Sequence, residues 1–328
     1  MNIMLTNRCN GTCQYCFLKG ELAQDHGVPK DITLEDFHTI LKYAHHLFSL
    51  GSIDSLNLMG GEPTLHPKFR EILKASLTYK TKKSGFMPVS IFTNGLFPEE
   101  TGKLLQQEGC RVMVNVNHPL SYPECHWNML HKNLSILTET IASEPWVTLS
   151  LNIDRADQDF EYLLDLCQQY RIKKIRVDIS RPEPNKRNTH IKMEDIPGVM
   201  PLLVNLAQRC KQMGIEMNTD CCLPICGISN EQLQSLEKSG VELSFKCSGG
   251  IDVTPDLEIW HCAPLRSIKF GKITDYPDGV ALVKEIARKT APLRWNVSSK
   301  ESCKDCKWWT LKICQGGCLS SKKMDGIF

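Results

Sequence analysis

The chain lacks any long apolar run and carries almost no net charge. Within its 328 residues no stretch of about eighteen consecutive apolar residues occurs, which excludes an ordinary membrane-spanning helix. The formal net charge is +2, so there is no electrostatic reason to expect nucleic acid or an anionic membrane as the main partner. No secretory pattern opens the chain either, and we therefore expect a cytoplasmic location.

Cysteine, by contrast, is abundant, with sixteen in the chain. In a reducing compartment such a number indicates metal binding rather than disulfides. Hydrophobic residues make up 41% of the sequence, enough to bury a core, and the length exceeds one typical domain. The sequence therefore predicts a main domain with a smaller second one.

Three of the cysteines, Cys9, Cys13 and Cys16, lie close together in the run CNGTCQYC, directly after an apolar segment. Structural zinc normally uses four ligands and pairs of Cys-x-x-Cys, whereas the spacing here is three and then two. Three thiolates on a four-iron cluster leave one iron without a protein ligand, and an open iron can bind a small molecule. With Tyr15 before the third cysteine, the run resembles the signature of the radical S-adenosylmethionine (SAM) superfamily.

A second motif, Gly60-Gly61-Glu62-Pro63, follows the short apolar segment Leu56 to Met59. Glycines allow a close approach of backbone, and a carboxylate accepts hydrogen bonds from an ammonium group. The motif resembles the GGEP motif of the same superfamily, which contacts the amino group of SAM. The resemblance further implies that SAM chelates the open iron of a 4Fe-4S cluster and that Tyr15 lies near the adenine.

Short apolar segments alternate with amphipathic ones over the first two thirds of the chain. Strands are predicted near residues 2–6, 55–59, 88–93, 111–116, 147–153 and 173–179, each followed by a helix, with Thr33 as N-cap of the first. This alternation predicts an α/β fold with parallel strands whose carboxyl ends carry the functional groups. Six such units match the partial (β/α)6 TIM-type barrel of the superfamily, which we assign to residues 1–215.

Polar side chains follow several predicted strands, where they are placed to hold SAM or the substrate. The same residue types also end strands in any protein, so turn formation is the alternative for each of them. The predicted cofactor contacts at strand ends are Thr93, Asn94, Asn117 and Asn152. Weaker candidates are Asn115, Asp154 and Ser180, while His118 and Arg181 are candidates for proton transfer or for pairing with a carboxylate.

Past about residue 215 the alternation ends, and nine cysteines follow between Cys221 and Cys318. A hairpin is predicted over residues 251–260, with its turn at Pro255-Asp256. Close cysteine pairs next to Gly-Gly suit an iron-sulfur cluster wrapped by backbone. The region resembles the SPASM or twitch extension of radical SAM enzymes, which carries one or two auxiliary 4Fe-4S clusters. We assign residues 216–328 to this small cysteine-rich domain.

The resemblance also implies how these cysteines are shared between clusters. One auxiliary cluster is assigned to Cys247, Cys262 and Cys318, with Cys226 as the expected fourth ligand and Cys221 or Cys222 as substitutes. A second is assigned to Cys303, Cys306 and Cys314. The chain ends before the last cysteine of the family pattern, which leaves three alternatives for the second site: an open iron, a ligand taken from Cys221 or Cys222, or a smaller metal site such as zinc.

The chemistry implied by the resemblance is reductive cleavage of SAM to a 5'-deoxyadenosyl radical, which abstracts hydrogen from a substrate. Because SPASM proteins often modify peptides, we expect a peptide side chain or α-carbon, as in a maturase of ribosomal peptides or proteins. Dehydrogenation or isomerisation of a small sugar or cyclitol is the alternative. In a peptide epimerase, Cys221 and Cys222 are the candidate catalytic hydrogen donors.

Partners follow from the same resemblance. It implies an electron donor such as flavodoxin or ferredoxin, and it leaves room for a separate peptide-recognition protein. The non-enzymatic alternative is an adaptor in which zinc-bound cysteines only stabilise the fold.

Overall fold

The computed structural model describes residues 1–78, 80–81, 85–139 and 147–322. Its strands are β1 (Asn2–Met4), β2 (Leu56–Met59), β3 (Lys80–Thr81), β4 (Gly85–Phe86), β5 (Val89–Thr93), β6 (Arg111–Asn115), β7 (Val147–Ile153), β8 (Lys174–Ile179), β9 (Glu216–Thr219), β10 (Asp252–Val253) and β11 (Ile259–Trp260). Its helices are α1 (Ala23–His26), α2 (Leu34–Ser49), α3 (Phe69–Thr78), α4 (Glu99–Gln107), α5 (Glu124–Thr138), α6 (Glu161–Gln169), α7 (Ile196–Gln212), α8 (Asn230–Lys238), α9 (Gly279–Trp295) and α10 (Lys307–Thr310).

A nine-stranded sheet organises the fold, in the order β11-β10-β1-β2-β5-β6-β7-β8-β9. Neighbouring strands are parallel except for the β10–β11 hairpin, and β3 and β4 form a separate antiparallel pair. The six predicted strands are β1, β2, β5, β6, β7 and β8, so the predicted α/β class with a parallel sheet is confirmed.

The sheet continues beyond the six predicted strands. β9 pairs with β8, and β10 pairs with β1, so residues on both sides of position 215 contribute to one sheet. The predicted 251–260 hairpin is present as β10 and β11, with Asp252 opposite Trp260. The division at residue 215 stays a prediction, and the sheet itself crosses it.

The first long helix, α2, shows why these elements form where they do. Thr33 is its N-cap, as predicted, and the Thr33 hydroxyl accepts a hydrogen bond from the Asp36 amide at 3.0 Å. One face of α2 is fully buried in the main core with Ile3 and Leu58 of the sheet, and burial of each large apolar side chain contributes roughly 1.5–3 kcal/mol. The buried apolar residues of that face are Phe37, Ile40, Leu41, Ala44 and Leu47.

The segment after β11 packs back onto the barrel. Tyr43 of α2 donates a hydrogen bond to the backbone oxygen of Tyr276 at 2.6 Å, and Leu47 packs against Gly279 at the start of α9. Buried residues of both regions belong to one continuous hydrophobic core. Among the described residues, no helix has the length and apolar character needed to cross a membrane.

Candidate active site and metal centres

The loop that carries Cys9, Cys13 and Cys16 is fixed at its base by a buried asparagine. Asn7 Nδ2 donates to the backbone oxygens of Glu21 and Val28 at 3.1 and 3.2 Å, and Asn7 Oδ1 accepts from the Lys30 amide at 2.6 Å. These bonds close the loop between β1 and α2, because both of its ends are held by one side chain. The cysteines are therefore presented on a rigid frame, as a metal site requires.

The thiols of the loop receive N–H donors, which favour thiolate. Cys9 Sγ accepts from the Gly11 amide and Cys13 Sγ accepts from Asn117 Nδ2, both at 3.3 Å. A Cβ placed on Gly11 would lie 3.6 Å from Cys9 Sγ and 3.9 Å from Cys13 Sγ, so glycine keeps the space between these sulfurs open. Burial raises the pKa of Cys9 to about 12, so metal binding must displace a proton from this thiol.

The three loop cysteines are a ligand set that suits a four-iron cluster. Among the described residues, no three His, Cys, Asp or Glu side chains gather tightly enough to hold one metal ion. The thiolates of a four-iron cluster lie farther apart than the ligands of a single ion, since each thiolate binds a different iron. Three cysteines in one loop, with N–H donors at the sulfurs of Cys9 and Cys13, suit that arrangement.

The Gly60-Gly61 pair is needed because the motif packs against the cysteine loop itself. Gly61 N donates to Thr6 O at 2.9 Å, and Glu62 N donates to Arg8 O at 2.7 Å. A Cβ on Gly60 would lie 2.4 Å from Thr6 O, and one on Gly61 would lie 2.2 Å from Arg8 O. Neither position accepts a larger residue without moving the backbone just before Cys9. The two motifs therefore form one structural unit.

Glu62 accepts hydrogen bonds from several groups within the chain. Its side chain is fully buried, and Oε1 accepts from the hydroxyls of Thr64 and Thr93 at 2.6 and 2.8 Å. Oε2 accepts from the Asn94 amide at 2.8 Å. Burial raises the pKa of this carboxyl, and these bonds counteract the shift. The carboxylate therefore joins the GGEP loop and its buried Pro63 to the end of β5, and its role as an ammonium acceptor stays a prediction.

Asn94 links this unit to a residue that the sequence did not single out. Asn94 Nδ2 donates to Asn10 Oδ1 at 2.7 Å, and Asn10 Nδ2 donates to the backbone oxygen of Leu96 at 2.8 Å. Asn10 lies beside Cys9, so its position next to a predicted ligand was the only available signal.

Three strand-end asparagines converge on Tyr15. The Tyr15 hydroxyl accepts from Asn115 Nδ2 at 2.6 Å and donates to Asn117 Oδ1, while Asn152 Nδ2 donates to Asn115 Oδ1 at 2.5 Å. Burial raises the pKa of Tyr15 well above its usual value, so this hydroxyl stays protonated. The structure thus brings together the predicted residues Tyr15, Asn117 and Asn152, with Asn117 also on Cys13 Sγ. The His118 side chain forms no hydrogen bond with any of them, and its Nε2 lies 3.4 Å from Oδ2 of Asp159.

A buried arginine ties the cysteine loop to the C-terminal region. Arg266 donates to the backbone oxygens of Phe17 and Lys19 at 2.8 and 3.1 Å. The same guanidinium pairs with the fully buried Glu183 at 2.8 Å and with Glu21 at 3.0 Å. Arg266 follows Cys262 closely in sequence, so the loop of the first metal site is held by the segment that carries a predicted auxiliary ligand.

A first C-terminal cysteine group forms around Cys222. Its thiol accepts from Gln315 Nε2 at 3.5 Å, and a hydrogen bond to Cys247 raises its pKa. The same bond from Cys222, with His261 Nε2 at 4.0 Å from the sulfur, lowers the pKa of Cys247 to about 4. Burial raises the pKa of Cys262, and Cys318, Cys247 and Cys221 add to the shift as electrostatic neighbours. Cys221, Cys222, Cys247, Cys262 and Cys318 therefore lie together.

A second group surrounds Gly316. Cys314 Sγ accepts from the Gly316 amide at 3.3 Å, and a Cβ on Gly316 would lie 3.5 Å from Cys303 Sγ. Cys306 is joined to Cys303 by a turn in which the Cys306 amide donates to the Cys303 carbonyl at 3.2 Å. These are the three cysteines predicted for the second auxiliary site.

Cys226 is placed differently from the predicted grouping with Cys247, Cys262 and Cys318. It lies in the short turn Ile225–Gly227, directly after Pro224, whose ring is 3.3 Å from the position of a Cβ on Gly317. Burial raises the pKa of Cys226, and its charged and thiol neighbours are Lys300, Cys303 and Cys314. The docking of this turn on the Cys314–Cys318 loop was not predictable, since the two segments are far apart in the sequence.

Buried donors without partners in the described part of the chain lie on residues that contact the first group, or next to such a residue in the sequence. Arg181 Nε and Nη1, Ser180 Oγ and His261 Nδ1 are buried without a hydrogen-bond partner among the described residues. Buried N–H and O–H groups without acceptors are rare in folded proteins. A cluster with thiolate and sulfide acceptors would satisfy them, so the donor set fits an auxiliary iron-sulfur cluster.

Fold and site together define an α/β enzyme core of the kind that binds a 4Fe-4S cluster and SAM. Residues 3–142 match the sequence model described as the radical SAM superfamily. The matched part is less than half of the chain and contains both the cysteine loop and the GGEP loop.

Curated relatives cover only part of the chain. It is 29% identical over 139 residues to the GTP 3',8-cyclase of Aquifex aeolicus (strain VF5), which is 42% of this chain and 40% of that protein. It is 31% identical over 126 residues to a probable GTP 3',8-cyclase of Methanothermobacter marburgensis, or 38% and 37% of the two chains. The match thus spans less than half the length of these relatives.

Solved structures are similar over nearly the whole chain. "Native anSMEcpe with bound AdoMet" aligns with a TM-score of 0.65 and 18% identity, covering 97% of this chain and 88% of that one. Streptococcus suis SuiB bound to S-adenosylmethionine aligns with a TM-score of 0.68 and 15% identity, covering 99% and 76%. At these identities the likeness concerns the fold.

Proposed function

We propose that the chain is a radical SAM enzyme that removes hydrogen from a peptide. When bound, the cluster and SAM supply a 5'-deoxyadenosyl radical by one-electron cleavage of SAM. The single observation that carries the proposal is the unit formed by Cys9, Cys13 and Cys16 with the GGEP loop and the Tyr15 network, because three thiolates leave one iron for SAM.

The residues of this chain would hold the cluster and SAM and orient them toward the substrate. Cys9, Cys13 and Cys16 would bind the irons, and the Asn117 side chain, donating to Cys13 Sγ, connects that site to the Tyr15 hydroxyl. Glu62 acts through others, because its carboxylate fixes Thr93 and the Asn94 backbone instead of facing solvent. The protein thereby aims one reactive group at one substrate hydrogen, which is the source of selectivity in such chemistry.

The test is product formation by anaerobically reconstituted protein. Incubation with SAM and dithionite should release 5'-deoxyadenosine, and protein with two or three clusters should hold roughly eight to twelve irons. Colourless protein that contains zinc and forms no 5'-deoxyadenosine would instead support the adaptor hypothesis.

For the C-terminal cysteines we propose two four-ligand sites. Cys222 completes the site of Cys247, Cys262 and Cys318, supported by its contacts with Cys247 and Gln315. Cys226 completes the site of Cys303, Cys306 and Cys314, supported by the docking of its turn on the Cys314–Cys318 loop. Both sites then have four protein ligands, in the manner of SPASM-type auxiliary clusters.

Iron analysis separates the two ligand sets. In a C247A/C262A/C318A background only the second site remains, and C226A should then remove most of the remaining auxiliary iron while C222A should not. In a C303A/C306A/C314A background the two effects should exchange. The exposed Cys125 offers a matched control, since C125A should change neither iron content. If C226A depletes only the first site, the original grouping is restored.

A peptide substrate is supported by the structural neighbours and a small molecule by the curated relatives. One neighbour is Streptococcus suis SuiB bound to precursor peptide SuiA, at a TM-score of 0.65 with 97% of this chain aligned. The relatives named as GTP 3',8-cyclases favour a small molecule, but they match only about two fifths of this chain. We give precedence to the peptide because the structural likeness extends over the cysteine-rich region.

Mass spectrometry in heavy water distinguishes the outcomes on a candidate peptide. Epimerisation adds one deuterium to the peptide, whereas cross-linking removes two hydrogens. Cys221 is the remaining candidate hydrogen donor if Cys222 is a ligand, because its half-buried side chain lines a cavity with Asp178 and Arg181. Conversion of GTP with no change in any peptide would favour the small-molecule alternative.

An electron donor such as flavodoxin or ferredoxin would replace dithionite in the cell.

A further inference from the structure

Arg181 is a buried arginine for which the proposed chemistry has no role so far. It follows β8, and only 3% of it is exposed. Its Nη2 donates to the backbone oxygen of Cys222 at 3.1 Å. Its Nε and Nη1 have no hydrogen-bond partner among the residues that the structure describes.

A buried guanidinium with two unmet donors is costly. A buried donor without an acceptor loses the hydrogen bonds it had to water, and the loss is larger when the group is charged. The neighbouring carboxylate, Asp178, already accepts from Arg176 at 3.3 Å and from the Ile179 amide at 2.8 Å. The charge on Arg181 therefore calls for a further anion at this place.

The thiols around Arg181 indicate which anion this is. Arg181 and Cys221 line the same cavity, and the carbonyl that Arg181 contacts belongs to Cys222. Gln315, on the loop that leads to Cys318, donates to Cys222 Sγ. Four thiolates around a four-iron core leave a net negative charge on the cluster, and sulfur atoms at its surface accept hydrogen bonds.

We propose that Arg181 is the internal counter-ion of the first auxiliary cluster, donating through Nε and Nη1 to its sulfur atoms. This inference rests on the proposed cluster at Cys222, Cys247, Cys262 and Cys318. Reduction adds one electron to an already anionic cluster, so a fixed positive charge beside it stabilises the reduced state. Arg181 therefore raises the reduction potential of this cluster, and it acts as a positioning and tuning residue without touching substrate.

The test is a redox titration of the intact enzyme, followed by EPR. The signal of the first auxiliary cluster is identified as the one that is absent from C222A. Arg181→Met removes the charge and the donors, and the ratio of reduced to oxidised cluster at a fixed potential should fall at least about tenfold, or 59 mV for a one-electron couple. Arg181→Gln keeps N–H donors without the charge and should shift the ratio in the same direction by less. R209Q, which removes an exposed arginine paired with Glu161, should leave the ratio unchanged.

The possible results distinguish an error in the proposed cluster from an error in the proposed role of Arg181. If the wild-type protein shows no signal that depends on Cys222, the proposed cluster itself is wrong. If that signal exists and its potential is the same in both Arg181 variants, the counter-ion proposal is overturned while the cluster stands. If R181M fails to hold the cluster, the potential of R181Q decides in the same way. A raised KM for peptide at an unchanged potential would assign Arg181 to a substrate carboxylate and would also overturn the proposal.

Discussion

The two cysteine regions of this protein are built in opposite ways. The N-terminal site takes its three cysteines from one short loop, which the adjacent GGEP backbone and Asn7 hold in place. The C-terminal groups gather cysteines from four separate segments between Cys221 and Cys318. A local loop can leave one coordination position open, whereas ligands drawn from several segments also act as tertiary cross-links. We expect the first region to be reactive and the second to be closed and structural as well.

The comparison is tested most strongly by removing the N-terminal thiols. The C9A/C13A/C16A variant should form no 5'-deoxyadenosine, yet it should keep the auxiliary iron, because the C-terminal ligands are untouched. Chromatography of the products and iron analysis measure both effects. C125A is the control and should match the wild type. Residual SAM cleavage in the triple variant would place the SAM site elsewhere.

Arg266 provides the next largest effect, since it joins the two regions. Arg266→Met removes the closer of the two guanidinium partners of the buried Glu183, which keeps Arg187 at 3.3 Å, and breaking a buried ion pair costs about 3–5 kcal/mol. We expect a free energy of unfolding lower by about 3 kcal/mol and a loss of SAM cleavage, because the loop carbonyls of Phe17 and Lys19 lose their donors. Denaturant unfolding of the reconstituted protein measures the first effect.

A matched arginine lies on α9, where Arg288 pairs with Glu285 at the surface. R288M should leave the free energy of unfolding close to that of the wild type, as is usual for exposed pairs. Equal effects of R266M and R288M would show that the two regions are not held together by Arg266.

Gly61→Ala tests the contact between the GGEP loop and the cysteine loop. Its Cβ would lie 2.2 Å from Arg8 O, so the backbone before Cys9 must shift, at a cost of about 1–3 kcal/mol. We expect SAM cleavage to fall more than auxiliary iron content. G198A is the control, because a Cβ at this position in α7 meets nothing within 4 Å and alanine favours helix by up to about 1 kcal/mol. Wild-type activity in G61A would contradict the close packing.

Tyr15→Phe should have the smallest effect of the series. It removes the hydroxyl that Asn115 and Asn117 share, at a cost of about 1 kcal/mol, and should raise the KM for SAM several-fold. Y43F removes a comparable hydroxyl on α2 that donates to Tyr276 O, and it should lower stability without changing that KM. Identical kinetics for Y15F and the wild type would remove Tyr15 from the cofactor site.

Local patterns allowed the sheet and the N-terminal site to be predicted from the sequence. The six strands stand out because each is a short apolar segment followed by a helix, and the loop ligands are contiguous. β9 was missed because Glu216–Thr219 is short and mostly polar, although it pairs with β8 along its length. The motif alone could not indicate the other partners of Glu62, because the hydroxyl of Thr93 and the amide of Asn94 come from the end of β5.

The grouping that we propose for the C-terminal cysteines depends on contacts between segments that are distant in the sequence. Cys226 is close in sequence to Cys221 and Cys222, yet its electrostatic neighbours are Lys300, Cys303 and Cys314, and Pro224 beside it contacts the Cys314–Cys318 loop. Arg181 carried no distinguishing pattern either, since its meaning depends on which acceptors are missing around it. Such assignments need the packing of distant segments, which short spacing rules do not encode.

Mössbauer spectroscopy with and without SAM tests the central contrast most directly. In wild-type protein labelled with 57Fe, SAM should alter the signal of one iron site, and this change should vanish in C9A/C13A/C16A but persist in C247A/C262A/C318A. A spectrum that SAM leaves unchanged, or a change that survives loss of Cys9, Cys13 and Cys16, would contradict an open iron at the N-terminal loop.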